Sequence, residues 1–587
     1  MRICLLAALI AAALCSTGGA NVDLVIDGRT DYCIILGKNA SPSEHWAASE
    51  LKQFIYEMSG ALLPYCADSS TPPAHAIMIG ESDASLSVPG KTSYNVGPEG
   101  FLIRANAGRM VIVGSRERGT MYGVHAFLEK LGCRFLTETV NKVPKMATIT
   151  VPDMEVVETP AFEYRDVFIR EALNPTYAAR NRSNSAHANL DTEHGGGLLY
   201  YPFVHTFNLL VPVDKYWDTH PEYFSMVDGK RCKDQLCLTN PDVLRISTQT
   251  VLGWMHDHPE AKIYSVSQND CYNNCQCPEC KKIEEEEGSP SGLMLRFVNA
   301  IVAETAKVYP DKLVDTLAYQ WTEKPPKITK PAANVRVRLC PIFCCEAHPY
   351  ETCSDDANKA FMANLAAWSR ITDNLYIWHY NTSFANYLNP FPDFRQLMDT
   401  AKLYKRSGVK GIFWEGSYPS GGGGELAQLR AYLLAKMSWN PDTDGETVMR
   451  EFCDDYYGKA GKYIYDYVAM LEDKVTKDNI HVKIWAGPND AFLTPEIMAE
   501  ADTLFDKAEA AADSPETLDR VKQARLSIEF VKLMKPILNK QTKGKEAQLL
   551  RQLDDFTAQC RHYGMTHISE GEALDHYYER VKKEIGG

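Results

Sequence analysis

The sequence predicts an α/β protein whose centre is a (β/α)8, TIM-like barrel. Between Pro160 and Trp439, short apolar runs of strand composition alternate with amphipathic runs of helical period. Seven or eight such strands in about 280 residues suit a closed parallel barrel. Before that stretch strands and helices alternate separately, and beyond Asn440 strand patterns stop. The expected organisation is a signal peptide over 1–20, an α/β accessory domain over 21–155, the barrel over 156–440 and a helical C-terminal domain over 441–587.

The first twenty residues carry Arg2, an apolar run from Ile3 to Leu14 and small residues ending in GGA. That pattern predicts a signal peptide cleaved after Ala20, hence a secreted or periplasmic protein. A lipoprotein anchor at Cys15 is the disfavoured alternative, because Leu14 precedes it where a small residue is wanted. No later run is long enough to span a bilayer. The net charge of −14, with no Lys/Arg block, argues against nucleic acid as a partner.

In the accessory domain VDLVIDG, YCIILG, AIMIG, GFLIRAN and RMVIVGS read as strands. Ser43 to Met58 and Arg118 to Leu131 read as helices, the first with a capping Ser and the second closed by Gly132. GSRERG lacks phosphate-loop spacing and reads as a strand-to-helix turn. The barrel strands are FEYRDVFI, PFVHTFNLLV, KIYSVSQ, LVDTLAYQ, NVRVRLC, NLYIWHY and KGIFWEG, with an eighth near GKRCKDQLCL. DGETVMREFCDDYYG, AGKYIYDYVAMLEDKV, PEIMAEADTLFDKAEAAA and the run from Pro515 to Glu584 are amphipathic helices. Gly421 to Gly424 form a flexible loop at the mouth of the last strand.

Parallel barrels present chemistry at the C-terminal ends of their strands. Those ends carry His205, then Gln268, Asn269 and Asp270, then Tyr319, Trp321 and Glu323, then Trp378, His379 and Tyr380, and last Glu415 with Glu425 beyond it. Aromatic platforms beside acids suit a sugar site, because rings stack on sugars while one protonated and one ionised acid handle protons. Asp270 and Glu415 are the candidates for those acids, and the others for substrate binding. A lone carboxylate at a strand end more often caps a helix or pairs with a cation, and His205 equally suits a hydrogen-bonded core. The convergence of the set carries the reading. It calls for no cofactor and no catalytic metal.

Seventeen cysteines, two of them within the signal peptide, leave fifteen for an exported chain where disulfides are allowed. Cys271, Cys275, Cys277 and Cys280 form one group, and Cys344, Cys345 and Cys353 another. Disulfides, including bridges between the two groups, or free thiols are the favoured outcome. A structural zinc site with Cys271 as its fourth ligand is the alternative, and metal-dependent hydrolysis a weaker one.

The run ending RGTMYGVHAFLEKLGCRFL resembles the accessory domain that precedes the barrel in hexosaminidases and α-glucuronidases. SVSQND with CQCPEC, SGLMLRFVNAIV and LAYQWTEKPP resembles one bacterial family, the "domain of unknown function 4838" proteins. RVRLCPIFCCEAHP and GIFWEGSYPSGGGGELAQLRAYLLAKMSWNPDTD extend the match over about residues 200–460. That family includes glycoside hydrolase family 163, endo-β-N-acetylglucosaminidases acting on the chitobiose core of complex N-glycans. The resemblance implies a glycan or glycoprotein substrate, with Asn269, Asp270, Glu415 and Glu425 at motif positions. It further implies that a 2-acetamido group could serve as internal nucleophile. A hydrolase of uronic-acid sugars and a non-catalytic glycan-binding protein are the rival functions.

Overall fold

A computed structural model describes residues 21–88, 96–106, 108–419 and 423–586. The expected signal peptide and the first two residues of the glycine loop lie outside them. The chain divides into two compact units, the described part of Met1–Cys133 with Val143–Thr159, and Arg134–Lys142 with Pro160–Gly587.

The first unit is a mixed six-stranded sheet covered by two main helices. Its strands run in the spatial order Met154–Glu158, Phe101–Asn106, Arg109–Gly114, Ala76–Ile79, Cys33–Leu36, Tyr65–Cys66. Pro42–Ser59 starts where expected because Ser41 and Glu44 form a reciprocal capping box. A disulfide joins Cys33 to Cys66 across neighbouring strands.

The second unit contains the sheet that positions the site. Its strands, among the described residues, are β1 Tyr164–Phe168, β2 Ile263–Ser265, β3 Leu313–Ala318, β4 Val335–Leu339, β5 Leu375–Tyr380 and β6 Gly411–Glu415. They lie in the order β1-β6-β5-β4-β3-β2, every pair parallel, and form a curled half-barrel. All but a few of their residues are buried, as parallel strands covered on both faces must be. Helices such as Pro290–Thr305, Asp356–Trp368 and Phe394–Arg406 make the crossovers.

Seven or eight regular strands were expected. Between β1 and β2 two irregular segments replace the ladder. Asn184 lies along β1, accepting from the Arg165 amide at 2.9 Å and donating to the Glu163 carbonyl at 2.8 Å. The Asn184 carbonyl accepts from the Leu198 amide at 2.9 Å, and the Tyr201 amide donates to the Ile263 carbonyl of β2 at 2.9 Å. PFVHTFNLLV is not a strand, because His205 turns to φ 53° and Phe207–Leu210 winds into a short helix. KRCKDQL, from the expected eighth strand near GKRCKDQLCL, pairs antiparallel with Phe224–Val227 in a separate hairpin. Asp228 and Gly229 at its turn both have positive φ, which a tight two-residue hairpin requires.

The expected helical C-terminal part shares the sheet's core. One connected apolar cluster runs from Leu136 through β4 and β6 to Ile585. No helix of the described residues is long and apolar enough to cross a membrane.

Candidate active site

A cavity of about 680 Å³ opens at the C-terminal ends of the parallel strands. The register of the sheet brings Phe168, Glu415 and Tyr380 side by side at the ends of β1, β6 and β5. Gly416 follows Glu415 because a Cβ there would lie 2.4 Å from Asn381 Oδ1 and 2.7 Å from Ile169 Cγ1. Under the floor Arg338 of β4 pairs with Asp315 of β3 at 2.8 Å, both fully buried. The same guanidinium stacks on Phe203 and Trp378, whose rings line the cavity.

Three carboxylates, Asp270, Glu415 and Glu570, line this space. Glu415 is buried, and the Trp378 indole donates to its Oε2 at 2.7 Å. Burial pushes its carboxyl up to about 8, with Glu570 and Asp270 adding to the shift and the indole opposing it. Asp270 is exposed, and its Oδ1 accepts from the Tyr319 hydroxyl at 2.9 Å. Gln320 donates to that hydroxyl at 3.0 Å, from a backbone at φ 53°. His205, the other positive-φ residue here, aims Nδ1 at the Gln268 carbonyl at 2.7 Å. One acid is thus held protonated at neutral pH, and a second, exposed carboxyl lines the same cavity.

Of the sequence-predicted site residues, the cavity gathers His205, Asp270, Tyr319, Trp378, Tyr380 and Glu415. Six others point elsewhere. Gln268 is buried and clamps the loop after β3, donating to the Tyr319 carbonyl and to Thr322 Oγ1. Asn269 bonds Asn208 and the Asp234 carbonyl. Trp321 donates to the Cys271 carbonyl, and Glu323 accepts from Asn364. His379 lies on the reverse face of β5 from Trp378 and Tyr380, since side chains alternate along a strand. Its Nδ1 meets the Tyr404 hydroxyl, and burial lowers its pKa to about 3. Glu425 pairs with Arg430, which also holds Asp393.

Sequence reasoning missed Glu570 and Tyr418, which meet at 3.1 Å on the cavity wall. It also missed three rim aromatics, Tyr272, Phe343 and Trp485, which are 55%, 47% and 58% exposed. Large apolar side chains held in water around a cleft fit ligand stacking better than folding. The isolated Trp485 in its loop was a usable signal; Glu570 offered none.

The cysteine groups do not join. Cys275, Cys277 and Cys280 meet Cys237, which the hairpin delivers, and Cys271 instead contacts Gln235 and Asp234. Cys345 and Cys353 meet His348 and His481. None of these cysteines is in a disulfide.

A family model described as domain of unknown function DUF4838 matches residues 135–469, more than half of the chain. The chain belongs to the DUF4838 family. Residues 30–127 match a second model, the glycosyl hydrolase family 67 N-terminus. Among solved structures, this DUF4838 protein is similar to a family GH115 4-O-methyl-α-glucuronidase with specificity for decorated arabinogalactans. The TM-score is 0.60 at 12% identity, covering 96% of this chain and 80% of the other. It is also similar to a GH138 enzyme targeting pectin rhamnogalacturonan II, with a TM-score of 0.53 at 10% identity over 95% and 79%. At such identities the likeness is one of fold. No curated protein matches the sequence.

Proposed function

We propose that this protein is an exported glycoside hydrolase acting on N-acetylglucosamine-containing glycans, and within that class a retaining endo-β-N-acetylglucosaminidase. The observation that carries the reading is the unequal pair of acids, Glu415 held by Trp378 and Asp270 held by Tyr319, in one aromatic-walled cavity. The two irregular segments act as the missing staves of a (β/α)8 barrel, and the Cys33–Cys66 disulfide agrees with export.

In this mechanism Glu415 is the general acid. Its proton goes to the glycosidic oxygen as the bond to the anomeric carbon breaks. The 2-acetamido carbonyl oxygen attacks the same carbon, and Asp270 accepts the amide N–H and stabilises its developing positive charge. Water then opens the cyclic intermediate, giving its proton to Glu415 and restoring the starting configuration. Trp378 and Tyr380 stack on the sugar, and His205 and Tyr319 bind its hydroxyls.

A second reading, hydrolysis of a uronic-acid linkage, is favoured by the likeness to the GH115 glucuronidase. A uronate carboxylate wants a guanidinium or ammonium partner. Among the described residues lining the cavity there is no Arg or Lys, and Arg338 beneath is committed to Asp315. The cavity therefore favours a sugar without a carboxylate.

The test is incubation of the purified protein with a complex N-glycoprotein and, in parallel, with glucuronosylated oligosaccharides, followed by mass spectrometry. Release of N-glycans one N-acetylglucosamine shorter, lost in Asp270→Asn, is the expected result. Cleavage confined to the glucuronosyl substrates would replace it with the second reading.

A further inference from the structure

Two four-residue clusters flank the cavity without facing it. In the first, the sulfurs of Cys237, Cys275, Cys277 and Cys280 all lie within 4.8 Å of one another, and all four side chains are buried. Cys237 Sγ is 3.7 Å from Cys277 Sγ and 3.9 Å from Cys280 Sγ. A tetrahedral ion with metal–sulfur bonds of about 2.3 Å places its sulfurs about 3.8 Å apart, whereas a disulfide needs about 2.05 Å. Neighbouring donors are already aimed at the sulfurs. The Met226 amide donates to Cys275 Sγ at 3.3 Å, and Thr239 Oγ1 lies 3.3 Å from Cys280 Sγ.

The second cluster has the other common donor set. Cys345, His348, Cys353 and His481 again place all four ligand atoms within 4.8 Å of one another. His348 Nδ1 is 3.6 Å from Cys345 Sγ and 3.8 Å from Cys353 Sγ, and His481 Nδ1 is 3.6 Å from Cys353 Sγ. An S2N2 tetrahedron built on usual zinc bond lengths has sulfur–nitrogen edges of about 3.6 Å. Each imidazole has a partner on its far nitrogen. His348 Nε2 meets the Val475 carbonyl at 3.1 Å and His481 Nε2 meets Ser354 Oγ at 3.3 Å. Donation from those nitrogens fixes the tautomer that turns both Nδ1 lone pairs inward.

We propose that these clusters are two structural zinc sites, Cys4 and Cys2His2, which staple the rim of the cavity. Each offers four protein ligands, so no coordination position is left for substrate and the ions take no part in bond cleavage. Their placement explains their use. The Cys4 site closes the loop after β2, which carries Asp270 and Tyr272. The Cys2His2 site ties the loop after β4, with Phe343, to the segment bearing Trp485. Irregular loops holding exposed aromatics have little apolar burial of their own, and a metal supplies the missing rigidity. Soft thiolate-rich donors select zinc over magnesium or calcium.

The full-length protein, made in zinc-supplemented medium and purified without chelator, is measured by inductively coupled plasma mass spectrometry. Two zinc ions per chain are expected, falling to one in Cys280→Ser and to one in His481→Gln. Hydrogen exchange should rise in residues 270–280 for the first variant, and in 343–353 and 480–485 for the second. Zinc-edge X-ray absorption on the wild type, which requires no variant to fold, should give on average three sulfurs and one nitrogen per zinc. Less than half an ion per chain, or peptide mapping that finds Cys275–Cys280 or Cys345–Cys353 disulfides, overturns the proposal.

Discussion

Glu415 and Trp378 contribute to the pH behaviour. Because Glu415 titrates near 8 when buried against an ordinary value of 4.5, the folded chain holds one more proton than the unfolded chain between those limits. Stability from this group is therefore full below about pH 4.5 and falls by about 1.4 kcal/mol per pH unit up to about pH 8. Glu415→Gln keeps shape and removes that loss. Its melting temperature should exceed the wild type's at pH 8–9 and match it at pH 5, as thermal scans at the two pH values would show. The same substitution should lower turnover by about 10²–10⁴-fold, and unchanged turnover would exclude Glu415 as the acid. Trp378→Phe takes away the donor that favours the ionised carboxylate, so the alkaline limb of the pH–rate profile should move to higher pH. The positions of Asp270 and Glu415 at the cavity were legible because Glu415 ends the apolar run of β6 and Asp270 closes the polar break after β2. Glu570 and Tyr418 were not, since the contact between them spans 152 positions of sequence.

Strands β3 and β4 meet through a buried charge pair that a hydrophobicity pattern does not disclose. Arg338→Met leaves Asp315 buried without its cation, and should cost about 3–5 kcal/mol in chemical denaturation at pH 8. The cost should shrink towards pH 5, because burial already raises the Asp315 pKa and the opposing guanidinium is gone. Gln268, whose sequence position suggested substrate binding, is a clamp on the turn after β3. Replacing it by Leu frees the Tyr319 carbonyl and Thr322 and should destabilise by about 1–3 kcal/mol while raising KM through Tyr319. The alternation that turns Trp378 and Tyr380 to the cavity sends His379 away. That division was available from strand period alone, once the strand's inner face was known.

The apolar cluster that starts beside β1 continues into the last helix, Leu574–Gly586, and the cavity takes Trp485 and Glu570 from beyond Asn440. A chain ended at Asn440 should expose that core and lose cooperative unfolding, checked by expression and calorimetry. A soluble, cooperatively melting fragment would instead establish an independent sheet unit.

Local pattern was enough for the alternating elements, the ends of most strands and the presence of Asp270 and Glu415 at the cavity. Apolar periodicity and capping residues act over a few positions and survive in a linear reading. Tertiary structure alone decided which expected strands are irregular segments, which polar residues face the cavity and which four side chains share each cluster. Those outcomes depend on contacts between distant positions, such as Cys237 with Cys280 and Cys353 with His481. Their geometry is created by the packing of the sheet, the hairpin and the C-terminal helices, and no local pattern records it.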